Sequence, residues 1–244
     1  VTGVLEIDVG NSRLKWRRVL GGEVLGCGAM PTTLPLAPAE LVGSDRVPAL
    51  ARVGSVAGAA FDRELEARLR ELGVEEVRFA VSSDRCGRLR SGYREPARMG
   101  VDRWLALAAG AARVDGAFAV LDAGSALTLD LVAADGRHLG GWILPGLRMM
   151  RRALLDGTAG VRFPEPDAHA DPGPGRDTGE AVVFGTLLMA RDFVAGRMEA
   201  FRRDCPGAPL LVTGGDGETL LAEAQPPVER VPELVLDGLA AVTG

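Results

Sequence analysis

Two short runs hold residues whose types and spacing could do chemistry. Asp8-Val9-Gly10-Asn11-Ser12 and Asp122-Ala123-Gly124-Ser125 each set a carboxylate two residues before a glycine and follow the glycine with small polar side chains. An acid near the end of an apolar strand that turns at once on such residues is poor core design. As binding chemistry it is coherent. Glycine lets backbone N–H groups approach an anion with no side chain in the way. Asn11, Ser12 and Ser125 add neutral donors, and Lys15 adds a charge. A carboxylate beside a phosphate makes sense when a cation sits between them, directly or through water. The competing reading is that Asp8 and Asp122 only cap hairpin turns. Two such turns at matching positions favour the polyphosphate reading.

A third run, Gly100-Val101-Asp102-Arg103, opens an Ala-rich helix predicted over Val101–Arg113. Asp102 there can cap the helix and pair with its dipole, or accept a proton from a hydroxyl. Arg103 is the right type for a carboxylate, because its planar fork binds two oxygens. The other arginines of this stretch (Arg85, Arg88, Arg90, Arg94, Arg98) read as a solvated face or an anion-attracting entrance. Trp142, Met149 and Met150 read as core.

The elements that must position these groups repeat. Setting Asp8 against Asp122, without a gap, brings Gly10 to Gly124, Asn11 to Ser125, Gly22 to Gly136, Leu25 to Leu139 and Gly26 to Gly140. Each half reads as a β-meander followed by mixed helices and strands. The first has strands near Val4–Val9, Leu14–Leu20, Glu23–Gly28, Arg52–Val56 and Val77–Val81, with a helix over Phe61–Leu72. The second has strands at Phe118–Asp122, Ala126–Val132, His138–Leu144 and Pro209–Thr213, helices at Gly146–Leu155 and Thr178–Arg203, and a terminal helix over Pro232–Val242. Arg162–Asp177 is rich in proline and glycine and reads as a long loop.

The 244 residues suffice for one large or two compact domains, and the 47% hydrophobic content predicts an ordinary core. A net charge of −5 makes a dedicated nucleic-acid binder unlikely company for this chain. Three scattered cysteines and only two histidines argue against a zinc site. No stretch has the apolar length of a membrane helix, and the first residues run straight into a strand. These features predict a cytoplasmic protein with reduced thiols.

The two acid-x-Gly turns, together with LLVTGGDGETL, where Gly214-Gly215 follows a strand, resemble the phosphate and adenosine motifs of the actin, sugar-kinase and Hsp70 superfamily. That resemblance implies an α/β fold of duplicated ribonuclease-H-like (actin-like ATPase) domains, here 1–114 and 115–244, with a nucleotide cleft between them. Within it, the order DVGNS, Tyr93, GVDR, DAGSALT, GGWILPG (Gly140–Gly146) and Thr178 resembles the type III pantothenate kinases over essentially the whole chain. The resemblance implies ATP-dependent phosphorylation of pantothenate, the first step towards coenzyme A, with Asp102 as general base. It assigns Asp8, Val9, Gly10, Asn11, Ser12, Arg13, Leu14 and Lys15 to the first ATP loop and Ser125 to the second. Tyr93, Gly100, Val101, Asp102, Arg103 and Thr178 match the pantothenate contacts. Asp122 matches a ligand of a monovalent cation (potassium or ammonium), with Mg2+ accompanying ATP, and the family is homodimeric. Two departures stand out. Ser12 and Ser125 replace the usual threonines and keep the hydroxyl. Thr178 lies in Asp177-Thr178-Gly179-Glu180, which also has the spacing of a capping box, so starting a helix is the competing role for it. A same-fold kinase for another small acceptor and a non-catalytic transcriptional accessory protein are the alternative readings.

Overall fold

A computed structural model describes residues 3–33, 39–43, 47–162, 172–221 and 227–244. The chain divides into two compact units, Val1–Arg113 with Glu233–Gly244, and Val114–Pro232.

The first unit is built on β1 (Val4–Val9), β2 (Arg13–Leu20), β3 (Glu23–Pro31), β4 (Leu50–Ser55) and β5 (Glu76–Phe79), in the order β3-β2-β1-β4-β5. The meander strands are antiparallel, while β4 and β5 run parallel to β1. Side chains alternate between the faces of a strand, which sorts β1 into two roles. Leu5, Ile7 and Val9 join Ala51 and Val53 in a core with Phe61, Leu65 and Leu69 of α2 (Ala59–Glu71). Each fully buried Leu or Ile contributes about 1.5–3 kcal/mol there. Helix α2 stops because Gly73 takes φ +96°, so that its N–H and that of Val74 turn back onto Arg70 and Leu69 carbonyls. Glu6 and Asp8 occupy the opposite face of β1. The short α1 (Ala39–Val42), the β6–β7 hairpin (Arg85–Cys86, Leu89–Arg90) and α3 (Val101–Arg113) complete this stretch.

The second unit repeats the frame with β8 (Phe118–Ala123), β9 (Ala126–Val132), β10 (His138–Pro145), β11 (Leu210–Thr213) and β12 (Val228–Arg230) in the order β10-β9-β8-β11-β12. Ala119, Leu121, Ala123, Leu127 and Leu129 form a core with Leu147 and Met150 of α4 (Leu147–Gly157) and with Leu187, Ala190, Val194 and Met198 of α5 (Thr178–Asp204). A short α6 (Gly217–Leu221) follows β11. Of the predicted long loop, residues 163–171 lie outside the described residues.

The last helix, α7 (Leu234–Thr243), packs with the first unit rather than with the half that precedes it in sequence. The chain thus passes between the units after Arg113 and again after Pro232, whereas the sequence suggested a single division into 1–114 and 115–244. The physical reason is local. Leu234, Val235, Leu236 and Leu239 are buried, and Gly238 presses against the Leu105 backbone of α3, where an added Cβ would lie 2.1 Å from the Leu105 oxygen. Linear order does not reveal such a return.

The ungapped self-alignment also needs one adjustment. Register pairs Asp8 with Lys15 and Val9 with Leu14, but Asp122 with Thr128 and Ala123 with Leu127. The second turn is thus one residue shorter, and Leu14 corresponds to Leu127. The longer connection after β9 restores the offset, for Gly26 faces Arg18 as Gly140 faces Leu131.

Candidate active site

Both acid-x-Gly turns close in the same way. Gly10 N–H donates to the Arg13 carbonyl and Gly124 N–H to that of Ala126, each at 3.0 Å. The N–H groups of the two glycines themselves are therefore used to shape the turns. The next carbonyl is used alike in both, since Thr32 N–H reaches Ser12 O and Gly146 N–H reaches Ser125 O, each at 3.1 Å. Ser12 and Ser125 are thus structural equivalents, and both are exposed along with Asn11 and Arg13. The Val9 carbonyl accepts from Val56 N–H and the Ala123 carbonyl from Asp216 N–H, fixing the strand end below each turn.

The glycines differ in what the fold asks of them. Gly146 is forced, because a Cβ would lie 2.4 Å from the Gly124 oxygen. Gly214 is forced twice over, by φ +87° and by the Ala123 backbone at 2.4–2.6 Å. Gly124 and Gly215 are not. A Cβ on Gly124 would meet nothing nearer than 3.6 Å, and one on Gly215 would enter open space. Nothing in the folded chain requires glycine at these two positions, so their bareness suits a ligand that approaches the backbone.

Asp8 shares its sheet face with Lys15 across the hairpin and with Gly54 on β4. Asp122 shares its face with Thr128 and Thr213. One acid thus faces a cation and the other faces two hydroxyls. Asp216, in the Gly-Gly turn, lines a shallow recess with Gly124, Gly146, Leu147 and Met150. Burial pushes its carboxyl above the usual range, against the opposing pull of Arg151 and Arg148. Sequence reading quoted Asp216 without giving it a role. Its signal was available: an acid directly after a Gly-Gly turn.

In the first unit Asp102 occupies the first turn of α3, and its Oδ1 accepts the N–H of Arg103 at 2.8 Å. Gly100 makes room for that carboxylate, since a Cβ there would lie 2.7 Å from Oδ1. Ser82 Oγ donates to the Met99 carbonyl at 2.9 Å and anchors the approach to the helix. Arg103 is only 6% exposed. Its guanidinium donates to Tyr93 Oη at 2.5 Å and lies 5.5 Å from the centre of the Tyr93 ring. The structure therefore joins Tyr93, Gly100, Asp102 and Arg103 into one cluster. Arg85, Arg90, Arg94 and Arg98 are exposed, and Arg88 donates to the Ala111 carbonyl at 2.9 Å.

Thr178 is in the second unit, exposed, at the start of α5. Asp177 caps that helix by accepting the Glu180 N–H at 2.9 Å, and Glu180 accepts the Arg176 N–H at 2.8 Å. The Asp177 half of the capping box forms, while Glu180 returns to Arg176 rather than to the N-cap residue, so these bonds engage the residues around Thr178. Trp142 and Met149, read as core, are instead 38% and 51% exposed; Met150 is buried.

The two five-stranded sheets of like topology, each with an acid-x-Gly turn, are those of the actin-like α/β fold. Solved structures of similar fold include a Campylobacter jejuni protein named for the Baf family of transcriptional activators (TM-score 0.57, 17% identity, 98% of this chain and 96% of that one). Another is a Sinorhizobium meliloti protein named for 2-dehydro-3-deoxygalactonokinase (TM-score 0.56, 16% identity, 98% and 97%). At these identities they speak for the fold alone. The family model of type III pantothenate kinase matches residues 4–200. Type III pantothenate kinases of Ectopseudomonas mendocina (43% identical, 97% of both chains) and Chromohalobacter salexigens (40%, 97% of this chain and 85% of that one) align with it. The chain belongs to the type III pantothenate kinases, which phosphorylate pantothenate from ATP in coenzyme A biosynthesis. Neither another acceptor nor a transcriptional role is favoured.

Proposed function

We propose that Asp102 is the general base of this kinase and that Arg103, held by Tyr93, binds the pantothenate carboxylate. The observation that carries the reading is the Tyr93–Arg103 bond at 2.5 Å beside an acid oriented by the Arg103 N–H at 2.8 Å. A buried arginine fixed by a phenol is a prepared partner for a carboxylate. Asp102 accepts the proton of the primary hydroxyl as its oxygen bonds to the γ-phosphorus and ADP departs. In-line positioning and charge neutralisation supply most of the rate. Gly100 and Val101 shape this pocket, and Thr178 adds a contact to pantothenate.

Asp8 to Lys15 and Ser125 hold the ATP phosphates, with Lys15 supplying the positive charge. Asp8, at the strand end before the first turn, fits Mg2+ held by one or two carboxylates, with phosphate oxygens and water completing its shell. Asp122, beside the hydroxyl-bearing Thr128 and Thr213, offers the hard oxygens that potassium or ammonium prefers. Mg2+ when bound supplies charge neutralisation at the transferring phosphoryl group.

The enzyme works as a homodimer in the cytoplasm. Exposed Trp142 and Ile143 on β10, Met149 and Leu154 on α4, and Leu188 and Met189 on α5 support a second copy as their cover. The three cysteines are unpaired, the state a reducing compartment maintains. No helix among the described residues is long and apolar enough to cross a membrane.

The test is ADP release from ATP and Mg2+, with and without pantothenate, in potassium and in sodium. Asp102→Asn should keep nucleotide binding and lose about 10²–10⁴-fold in kcat. A folded variant that turns over normally would remove Asp102 from the role of base.

A further inference from the structure

We infer that Leu105, seated against Gly54 and Gly238, is the positioning residue that fixes the acceptor helix against β4, the strand beside the one that carries the first phosphate loop. The inference rests on the assignment of Asp102 as base. Leu105 follows Asp102 by three residues, so both lie on one side of the first turn of α3. On one flank it meets β4, where a Cβ added to Gly54 would lie 2.5 Å from Leu105 Cδ1. On the other it meets α7, where a Cβ on Gly238 would lie 2.1 Å from the Leu105 oxygen and 2.7 Å from its carbonyl carbon. Gly54 is the register partner of Asp8 on the neighbouring parallel strand, and the two share a sheet face. The seat therefore links β4, the register neighbour of the strand that presents the first acid-x-Gly turn, to the helix that presents Asp102, through one side chain and two bare α-carbons.

Neither glycine is demanded by its own backbone, since neither has a positive φ. Both are demanded by how closely α3 is held. A methyl at Gly238 meets main chain, so the two helices must separate; a methyl at Gly54 meets a side-chain tip, so Leu105 must leave its rotamer or α3 must shift. In-line transfer tolerates little displacement of the base. A shift of about 1 Å costs on the order of 10²-fold in rate.

The contacts predict an asymmetry between the two seats. At Gly54 the obstacle is the tip of the Leu105 side chain; at Gly238 it is the Leu105 main chain. Gly54→Ala should lower kcat by about 10–100-fold while the KM for ATP changes less than about threefold. Adding Leu105→Ala removes the obstructing carbon and should bring kcat back to within about threefold of Leu105→Ala alone. The same addition should not rescue Gly238→Ala. Thermal unfolding would establish that each variant is folded. Should Gly54→Ala not fold, Leu105→Ile serves instead, with kcat expected to fall several-fold as the branch moves to Cβ. Wild-type kcat in the folded variants, or a Gly54→Ala defect that Leu105→Ala leaves in place, would overturn the inference. The latter would mean the methyl acts on Asp8 and ATP. Failure of the base assignment would look different, because Asp102→Asn would then turn over normally whatever the glycine variants do.

Discussion

The two units are the same frame carrying different chemistry. Strand order, the mixture of antiparallel and parallel pairing, the 3.0 Å closure of each turn and the 3.1 Å bond to each serine carbonyl all repeat. What differs is everything that projects from the face bearing the acid. Glu6 pairs in register with Arg17 in the first unit, and Val120 with Asp130 occupies the same ladder position in the second. The first unit builds an ionic layer there. Arg17 bonds Glu6 at 2.6 Å and Asp237 of α7 at 2.7 Å, with Arg52 at 3.5 Å from Glu6. The second buries a compact pair, Asp130 Oδ1 and His138 Nε2 at 2.9 Å. The duplicated backbone thus fixes where groups stand, and the side chains on one sheet face decide what each copy holds.

The largest effect should come from breaking the two layers in parallel. Arg17→Met leaves Glu6, with a side chain only 5% exposed, without its principal partner and unhooks α7. Stranding a buried charge costs about 3–5 kcal/mol, visible as a drop in the midpoint of urea unfolding. Asp130→Asn keeps an oxygen that can accept from His138 and should cost about 1 kcal/mol. Equal costs would show that the layers do the same work and that the contrast is one of composition only.

A second, smaller effect concerns the acids themselves. Lys15 faces Asp8 where Thr128 faces Asp122. Lys15→Thr should raise the KM for ATP about tenfold, more at low salt than at high. Thr128→Lys sets an ammonium beside Asp122, where the monovalent cation is assigned. Turnover of that variant should lose most of its difference between potassium and sodium buffers. If the wild-type enzyme shows no such difference, Asp122 loses its cation role, and the two acids differ only in their neighbours.

Much of this was legible in the sequence, because the strands alternate cleanly and the turns announce themselves. Leu5, Ile7 and Val9 against α2 follow from period-two patterning, and the acid-x-Gly pairs marked both turns correctly. Three features were not legible. The path of α7 back to the first unit depends on Gly238 meeting Leu105, a contact across more than half the chain. The use of the Gly10 and Gly124 N–H groups to close their own turns depends on which carbonyl each turn folds back, three residues on in the first and two in the second. Trp142 and Met149 were misplaced because an apolar residue carries no mark of whether its cover belongs to the same unit. Trp142 stands edge-on to Phe193 at 5.8 Å, with Arg197 6.0 Å from its ring. The roles assigned to Thr178 and Asp122 come from the resemblance and stand as proposals.

The smallest effect separates the copies most finely, at the strand end below each turn. The Val9 carbonyl accepts from Val56, an apolar residue, whereas that of Ala123 accepts from Asp216, whose carboxyl is half-buried. Burial raises the folded pKa of Asp216 above its unfolded value, with Arg151 and Arg148 holding back part of the rise. The neutral form is therefore the one the fold prefers. Asp216 contributes stability at pH values below its unfolded pKa, and this is lost as pH rises through the folded pKa. At pH 7 the ionised side chain is a net cost, so Asp216→Asn should raise the unfolding midpoint at neutral pH. The gain should shrink as the pH is lowered and vanish near pH 3, where wild type and variant are both uncharged at this position. A gain that persists unchanged at pH 3 would place its origin in packing or hydrogen bonding. A loss at pH 7 would mean that the two arginines outweigh burial, and that an ion pair braces the second turn.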